Sequence, residues 1–205
     1  MAALAPILEI DPLHPQPRLV QRAVEVLQKG GLIAYPTDTY YGLGCDLLSK
    51  KAVEKLYRLK ARDKGKPLSL LCPDLADVAE YGLVSNFAYR TMRGLTPGAF
   101  TFILPATRKV PELMMSRQKH VGIRVPDAPL ARALAAGLGH PLATTSATQP
   151  DDTPLVDAHD IRDALGHGLD LILDGGVVHS DPSTVLSLID DAIEVIRQGK
   201  GQLEP

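Results

Sequence analysis

The chain predicts one α/β domain, a mixed and partly antiparallel sheet with helices packed against it. Three observations lead there. Short apolar runs bounded by glycine and proline recur along the chain, as in GGLIAYP at residues 30–36, and read as buried strands. Amphipathic segments of helical period stand between several of them. The two kinds of element do not alternate strictly: strand-like segments at 100–104 and 121–125 follow one another and a further pair ends the chain, so the sheet is not purely parallel. A length of 205 residues fits one domain with a substantial core.

After a lead punctuated by Pro6, Pro12, Pro15 and Pro17, the residues Leu19, Val20, Ala23, Val24 and Leu27 recur at helical spacing, and Gly30 with Gly31 stops the helix. Residues 32–35 form the central strand, ended by Pro36. Thr37, Asp38, Thr39, Tyr40 and Tyr41, followed by Gly42 and Gly44, read as a loop off a strand end, where open α/β sheets hold ligands. The same stretch also reads as an ordinary turn in which Thr37 and Asp38 bond their own backbone. Ser49 caps a second helix with the apolar face Ala52, Val53, Leu56 and Leu59; Asp63, Gly65 and Pro67 break it, and residues 67–72 give the next buried strand.

Residues 74–81 and 86–93 form helices, and Thr96, Pro97 and Gly98 turn the chain into sheet. Phe100, Phe102 and Leu104 alternate with Thr101 and Ile103, and Val121, Ile123 and Val125 with Gly122 and Arg124, which turns Arg124 away from its apolar neighbours. A helix on Leu130, Ala133, Leu134 and Leu138, capped by Asp127 and closed by Gly137 and Gly139, leads to a strand at 141–145 that runs into Thr144, Thr145, Ser146 and Thr148. Residues 149–154 form a mobile surface loop, and Asp157 caps a helix carrying Ile161, Ala164 and Leu165. A strand at 169–173 stops at Asp174, Gly175 and Gly176; residues 184–189 and 193–197 pair as a hairpin across Asp190 and Asp191.

Composition narrows the function. Hydrophobic residues at 45% and charged residues at 22% exclude a disordered or fibrous chain. The net charge of −2 hides an asymmetry: residues 50–66 carry +6, through Lys50, Lys51, Lys55, Arg58, Lys60, Arg62, Lys64 and Lys66 against Glu54 and Asp63, so the remainder carries −8. That pattern suggests a local anion site rather than a surface coated for nucleic acid. Lys60 and Arg62, two residues apart, share a side only on an extended segment, so both reach one anion only once the helix has ended. Taken alone, the run also reads as a solvated face, and Arg124 as a surface strand residue. No run reaches membrane-spanning length, and the start lacks a basic region before Glu9 and Asp11, so a cytoplasmic protein is expected. Cys45 and Cys72 read as core thiols, and six scattered histidines without metal-ligand spacing predict no dedicated metal site. No P-loop, dinucleotide fingerprint, nucleophile elbow or kinase set occurs, so a nucleotide would be held by hydroxyls, backbone N–H groups and the Lys/Arg cluster.

Six segments, GGLIAYPTDTYYGLGCD, LKARDKGKPLSLL, TPGAFTFILPAT, VGIRVPDAP, LATTSAT and DPSTV, occur in the order and spacing of the YrdC/YciO family. The resemblance spans residues 18–199 of a single domain over 1–205, and TPGAFTFIL, HPQPRLVQRAVEVLQKGG and IRQG resemble the YciO branch most. It implies a twisted YrdC/RibB-like sheet with ligands on a concave, basic face. The reaction it implies joins L-threonine, bicarbonate and ATP into L-threonylcarbamoyl-adenylate with release of pyrophosphate, a nucleotidyltransferase step in tRNA modification. ATP is then a substrate that brings Mg²⁺ with it, and the partners are small molecules; a double-stranded RNA or tRNA surface is the alternative that the same family suggests.

Carried onto this sequence, the family's KxR pair falls on Lys60 and Arg62, at the triphosphate. Ser146 and Thr148 match its SxN nucleotide contact, with Thr148 in place of an asparagine amide that both donates and accepts. Arg197 stands on the nucleotide side. Thr37 and Tyr41 would sit beside threonine, and Arg124 would clasp its carboxylate through two N–H groups, a contact lysine cannot reproduce. Ser183 and Thr184 match the PST segment and would also sit on the threonine side. No residue is an obvious general base.

Overall fold

The computed structural model describes residues 4–60 and 67–203. Among these, ten strands and six α-helices follow in the order β1 (Ile7–Glu9), α1 (Pro17–Gln28), β2 (Ile33–Tyr35), β3 (Gly42–Asp46), α2 (Lys50–Leu59), β4 (Ser69–Leu71), α3 (Leu75–Tyr81), α4 (Asn86–Leu95), β5 (Phe100–Pro105), β6 (His120–Arg124), α5 (Pro129–Leu138), β7 (Leu142–Ser146), α6 (Ala158–Leu165), β8 (Leu171–Asp174), β9 (Thr184–Ser187) and β10 (Glu194–Arg197). The strands form one twisted sheet in the order β1-β8-β2-β3-β7-β4-β6-β5-β9-β10. It is mixed, as predicted: β8 runs parallel to β1 and β2, β4 to β6 and β5 to β9, and the remaining pairs are antiparallel.

Alternation along the strands builds a core on each face. Ile33, Tyr35, Leu71, Leu142, Leu171 and Leu173 meet α1 and α5, which bring Val24, Leu27, Leu130 and Leu134. Their neighbours Ala34, Leu70, Ala143 and Ile172 point to the opposite face, under α2, α3, α4 and α6. The helix starts follow the capping rule. Ser49 accepts the Ala52 N–H, Ser85 that of Ala88, Asp74 those of Ala76 and Asp77, and Asp157 those of His159 and Asp160.

Several expectations need correction. Gly42 to Asp46 is a strand rather than loop, because the Tyr35 ring lies across it: a Cβ at Gly42 would stand 2.8 Å from Tyr35 Cζ, and one at Gly44 2.9 Å from its Cε1. These glycines permit close approach, not a turn. The proline-punctuated lead contains β1, whose partner β8 lies far along the chain. Asp127 caps nothing; α5 starts at Pro129, which has no N–H to satisfy there, and the residue before it, Ala128, takes the cap position without a side-chain bond. Gly139 does close α5, at φ 83°, whereas Gly137 lies inside the helix. Residues 149–154 form a closed turn, with Gln149 N–H on the Thr153 carbonyl at 2.8 Å.

Candidate functional site

Residues opposite one another on paired strands share a face, as do alternate residues along one strand. One row across the sheet therefore runs Gly44, Thr144, Ser69, Gly122, Ile103 and Ser187. The next row carries Leu142, Leu71 and Arg124 on that same face. Tyr35 confirms the side, since its hydroxyl meets Thr144 Oγ1 at 2.6 Å. α1 and α5 cover the part of the face that holds Tyr35, Leu142 and Leu71, and the row from Gly44 onward is mostly small and polar.

Arg124 ends β6 on this face, with only 12% of its side chain exposed. Its Nη1 donates to Thr39 Oγ1 at 2.8 Å, and its Nη2 pairs with the Asp38 carboxylate. Nε is buried and meets no acceptor among the described residues. Burial pulls the guanidinium below its usual pKa, opposed by the negative charge of Asp38. Asp38 is itself fixed: its second carboxylate oxygen accepts the Asp127 N–H at 3.1 Å and its carbonyl accepts Lys200 Nζ at 2.5 Å.

The other predicted residues fall around this centre. Thr37 Oγ1 donates to the Tyr40 carbonyl at 2.5 Å and accepts the Thr39 N–H at 3.1 Å, so the ordinary-turn reading describes Thr37, whereas the Asp38 carboxylate reaches Arg124 and Asp127 instead. Tyr41 is fully buried; its hydroxyl donates to the Gly176 carbonyl at 2.7 Å and accepts the Gly175 N–H at 3.2 Å, and burial raises its pKa to about 12. Ser183 Oγ lies 2.9 Å from Thr101 Oγ1, and the Ser183 carbonyl accepts Arg197 Nε at 3.2 Å and Nη2 at 2.8 Å. Thr184 is fully buried, donating to the Gly201 carbonyl at 2.6 Å and accepting the Gly199 N–H at 2.9 Å.

On the other side of the face, α2 ends at Leu59, and Lys60 Nζ donates to the Thr148 carbonyl at 2.5 Å and to Thr148 Oγ1 at 2.8 Å. Ser146 is exposed at the end of β7, opposite Gly42. Arg62 lies outside the described residues. Lys60 and Thr148 are thus brought together, as are Thr37, Asp38, Thr39 and Arg124, and Ser183 with Arg197.

Sequence reasoning singled out Arg124 and, separately, the loop from Thr37 to Tyr41, but not that Asp38 and Thr39 bond Arg124 or that the Asp127 N–H and Lys200 hold Asp38. A carboxylate inside a run of hydroxyls was a usable signal, because a buried carboxylate needs a cation; nothing local marked Lys200. Cys45 and Cys72 are free and buried, as expected. Among the described residues no group of three His, Cys, Asp or Glu side chains converges to hold a metal ion, and no helix is long and apolar enough to cross a membrane. A cavity of about 670 Å³ beside α2, lined by Leu47, Val53, Leu113 and Met115 among others, shares no residue with this site.

Fold and site together define an α/β protein with a sheet face of hydroxyls, small residues and a buried guanidinium. The chain belongs to the Sua5/YciO/YrdC family: the family described as "Telomere recombination" matches residues 25–199. It is 41% identical over 198 residues to the YciO protein of Escherichia coli K12, covering 96% of each chain, and the crystal structure of E. coli YciO superposes with a TM-score of 0.92 over 97% of this chain and 98% of that one. The threonylcarbamoyl-AMP synthase of Nitrosococcus oceani is 36% identical over 157 residues, 76% of this chain and 85% of that protein. The crystal structure of P. abyssi Sua5 complexed with L-threonine shares the fold, with a TM-score of 0.89 at 24% identity over 95% of this chain and 58% of that one.

Proposed function

We propose that this protein forms an L-threonylcarbamoyl-adenylate-type product from L-threonine, bicarbonate and ATP, in the service of tRNA modification. The observation that carries this reading is Arg124, a guanidinium with a spare buried N–H on a small, polar sheet face. Such a group suits the carboxylate of an amino acid. Lys60 beside Thr148, with Ser146 two residues before Thr148 and Arg62 two after Lys60 in sequence, suits a triphosphate, and Arg197 supplies a further cation. The synthase of N. oceani and the L-threonine held by P. abyssi Sua5 agree with this reading.

The chemistry needs no covalent enzyme intermediate. The threonine amine takes up CO₂ from bicarbonate to give a carbamate, whose oxygen bonds to the α-phosphorus of ATP as the α–β bridging oxygen leaves with pyrophosphate. The protein contributes alignment and cations, and Mg²⁺ enters on the nucleotide. Thr148 leaves the nucleotide side without the amide of the SxN contact, which lowers nucleotide affinity relative to chains that have it.

Pyrophosphate release tests the reading. It should require ATP, bicarbonate and an amino acid together, with L-threonine the best of a panel of twenty. Failure with every amino acid, together with RNA binding that weakens steeply with salt, would overturn it in favour of an RNA-binding protein of the same fold.

A further inference from the structure

We propose that Asp38 positions Arg124, fixing its terminal nitrogens so that Nε–H is the donor kept for the carboxylate of an amino-acid substrate. This inference rests on the proposed function and adds a residue to it.

A guanidinium carries five N–H donors in a rigid plane, so holding two of its three nitrogens sets the direction of the third. Here Thr39 holds Nη1 and Asp38 holds Nη2. The third nitrogen, Nε, is buried and meets no acceptor among the described residues. Nearly all buried donors in folded proteins find an acceptor, and one left bare is destabilising. On a face of small polar side chains, a ligand oxygen is what completes it.

Asp38 is not an idle counter-ion that swings aside. The Asp127 N–H holds its other carboxylate oxygen and Lys200 holds its carbonyl, so the loop from Thr37 to Thr39 is tied to the start of α5 and to the segment after β10. Its charge also balances the guanidinium. The pair is close to neutral, so an incoming anion is chosen by a directed hydrogen bond rather than by bare charge. Asp38 is in this sense a positioning residue for recognition of the free α-carboxylate.

Calorimetric titration of L-threonine and of L-threoninol, which lacks the carboxylate, separates the possibilities. Wild type should prefer L-threonine clearly. Asp38→Asn should weaken L-threonine by about ten- to a hundredfold, the range for a hydrogen bond to a charged group. Binding of L-threoninol and of ATP should stay within about twofold. Asp38→Glu should recover part of the loss. Thr39→Val, which keeps the side-chain shape, should shift L-threonine alone by a smaller factor and decides the matter if Asp38→Asn does not fold. Equal losses for both ligands and ATP would make Asp38 merely structural and overturn the inference. An unchanged preference would overturn it too, and so would tighter L-threonine binding, which would show Asp38 competing with the ligand for Arg124. A wild type that binds neither compound would overturn the proposed function, and this inference with it.

Discussion

Tyr41 shows how an active-looking hydroxyl becomes architecture. Its O–H joins the Gly176 carbonyl and the Gly175 N–H, so it pins the start of β3 to the end of β8. Tyr41→Phe removes both bonds and leaves two backbone groups to find water, so unfolding should become easier by about 1–3 kcal/mol. Amino-acid affinity should hardly change. Denaturant melts beside L-threonine titration check this; a lost affinity with unchanged stability would return Tyr41 to the ligand. The contrast with Arg124 explains what single residues reveal in a sequence. Alternation with Val121, Ile123 and Val125 gives the face on which Arg124 lies. It says nothing of the partner, which comes from a loop 86 residues earlier in the chain.

Elements were legible where the signal is local. Ser49, Asp74 and Asp157 cap the helices their sequences announce, and the terminal hairpin of β9 and β10 follows from alternating residues around an acidic turn. β1 and β3 were not. Three residues among prolines carry no strand signal when their ladder partner, β8, lies far along the chain, and glycines argue against a strand until a ring from the neighbouring strand explains them. Gly44→Ala tests that explanation. The added methyl would press on Tyr35, itself fixed by Thr144, so stability should fall by about 1–3 kcal/mol, as for overpacking in a tight core. Circular dichroism melts of Gly44→Ala and of Gly44→Ala with Tyr35→Leu should show the loss partly relieved in the double variant; equal losses would mean that backbone conformation, not the ring, requires glycine.

At the scale of the molecule, burying so much of the sheet on both faces makes stability sensitive to alkali. Burial raises the Tyr35 hydroxyl from 10 to about 12, Tyr41 likewise, and the Cys45 thiol from 9 to about 12. A group with a raised folded pKa stabilises fully below its unfolded value and ceases to do so as pH rises through the folded one. Unfolding free energy should therefore vary little on account of these groups below about pH 9 and fall between about pH 9 and 12, by on the order of a few kcal/mol in all, with the melting temperature falling alongside it. Thermal melts across that range check it, and Tyr41→Phe should lower the slope. A flat profile would mean that these groups ionise without leaving the core.

The strand order also governs when the chain can close. β2 needs β8 on one side, β5 needs β9, and β3 and β4 meet only through β7. A polypeptide leaving the ribosome therefore presents early strands with open ladders long before their partners have been made, and no local hairpin covers them fully. Such late, non-local closure slows folding and lengthens the interval in which a bare strand can pair with a neighbouring nascent chain. The protein's greatest hazard of misassembly thus falls during its own synthesis, before the sheet face that holds Arg124 exists.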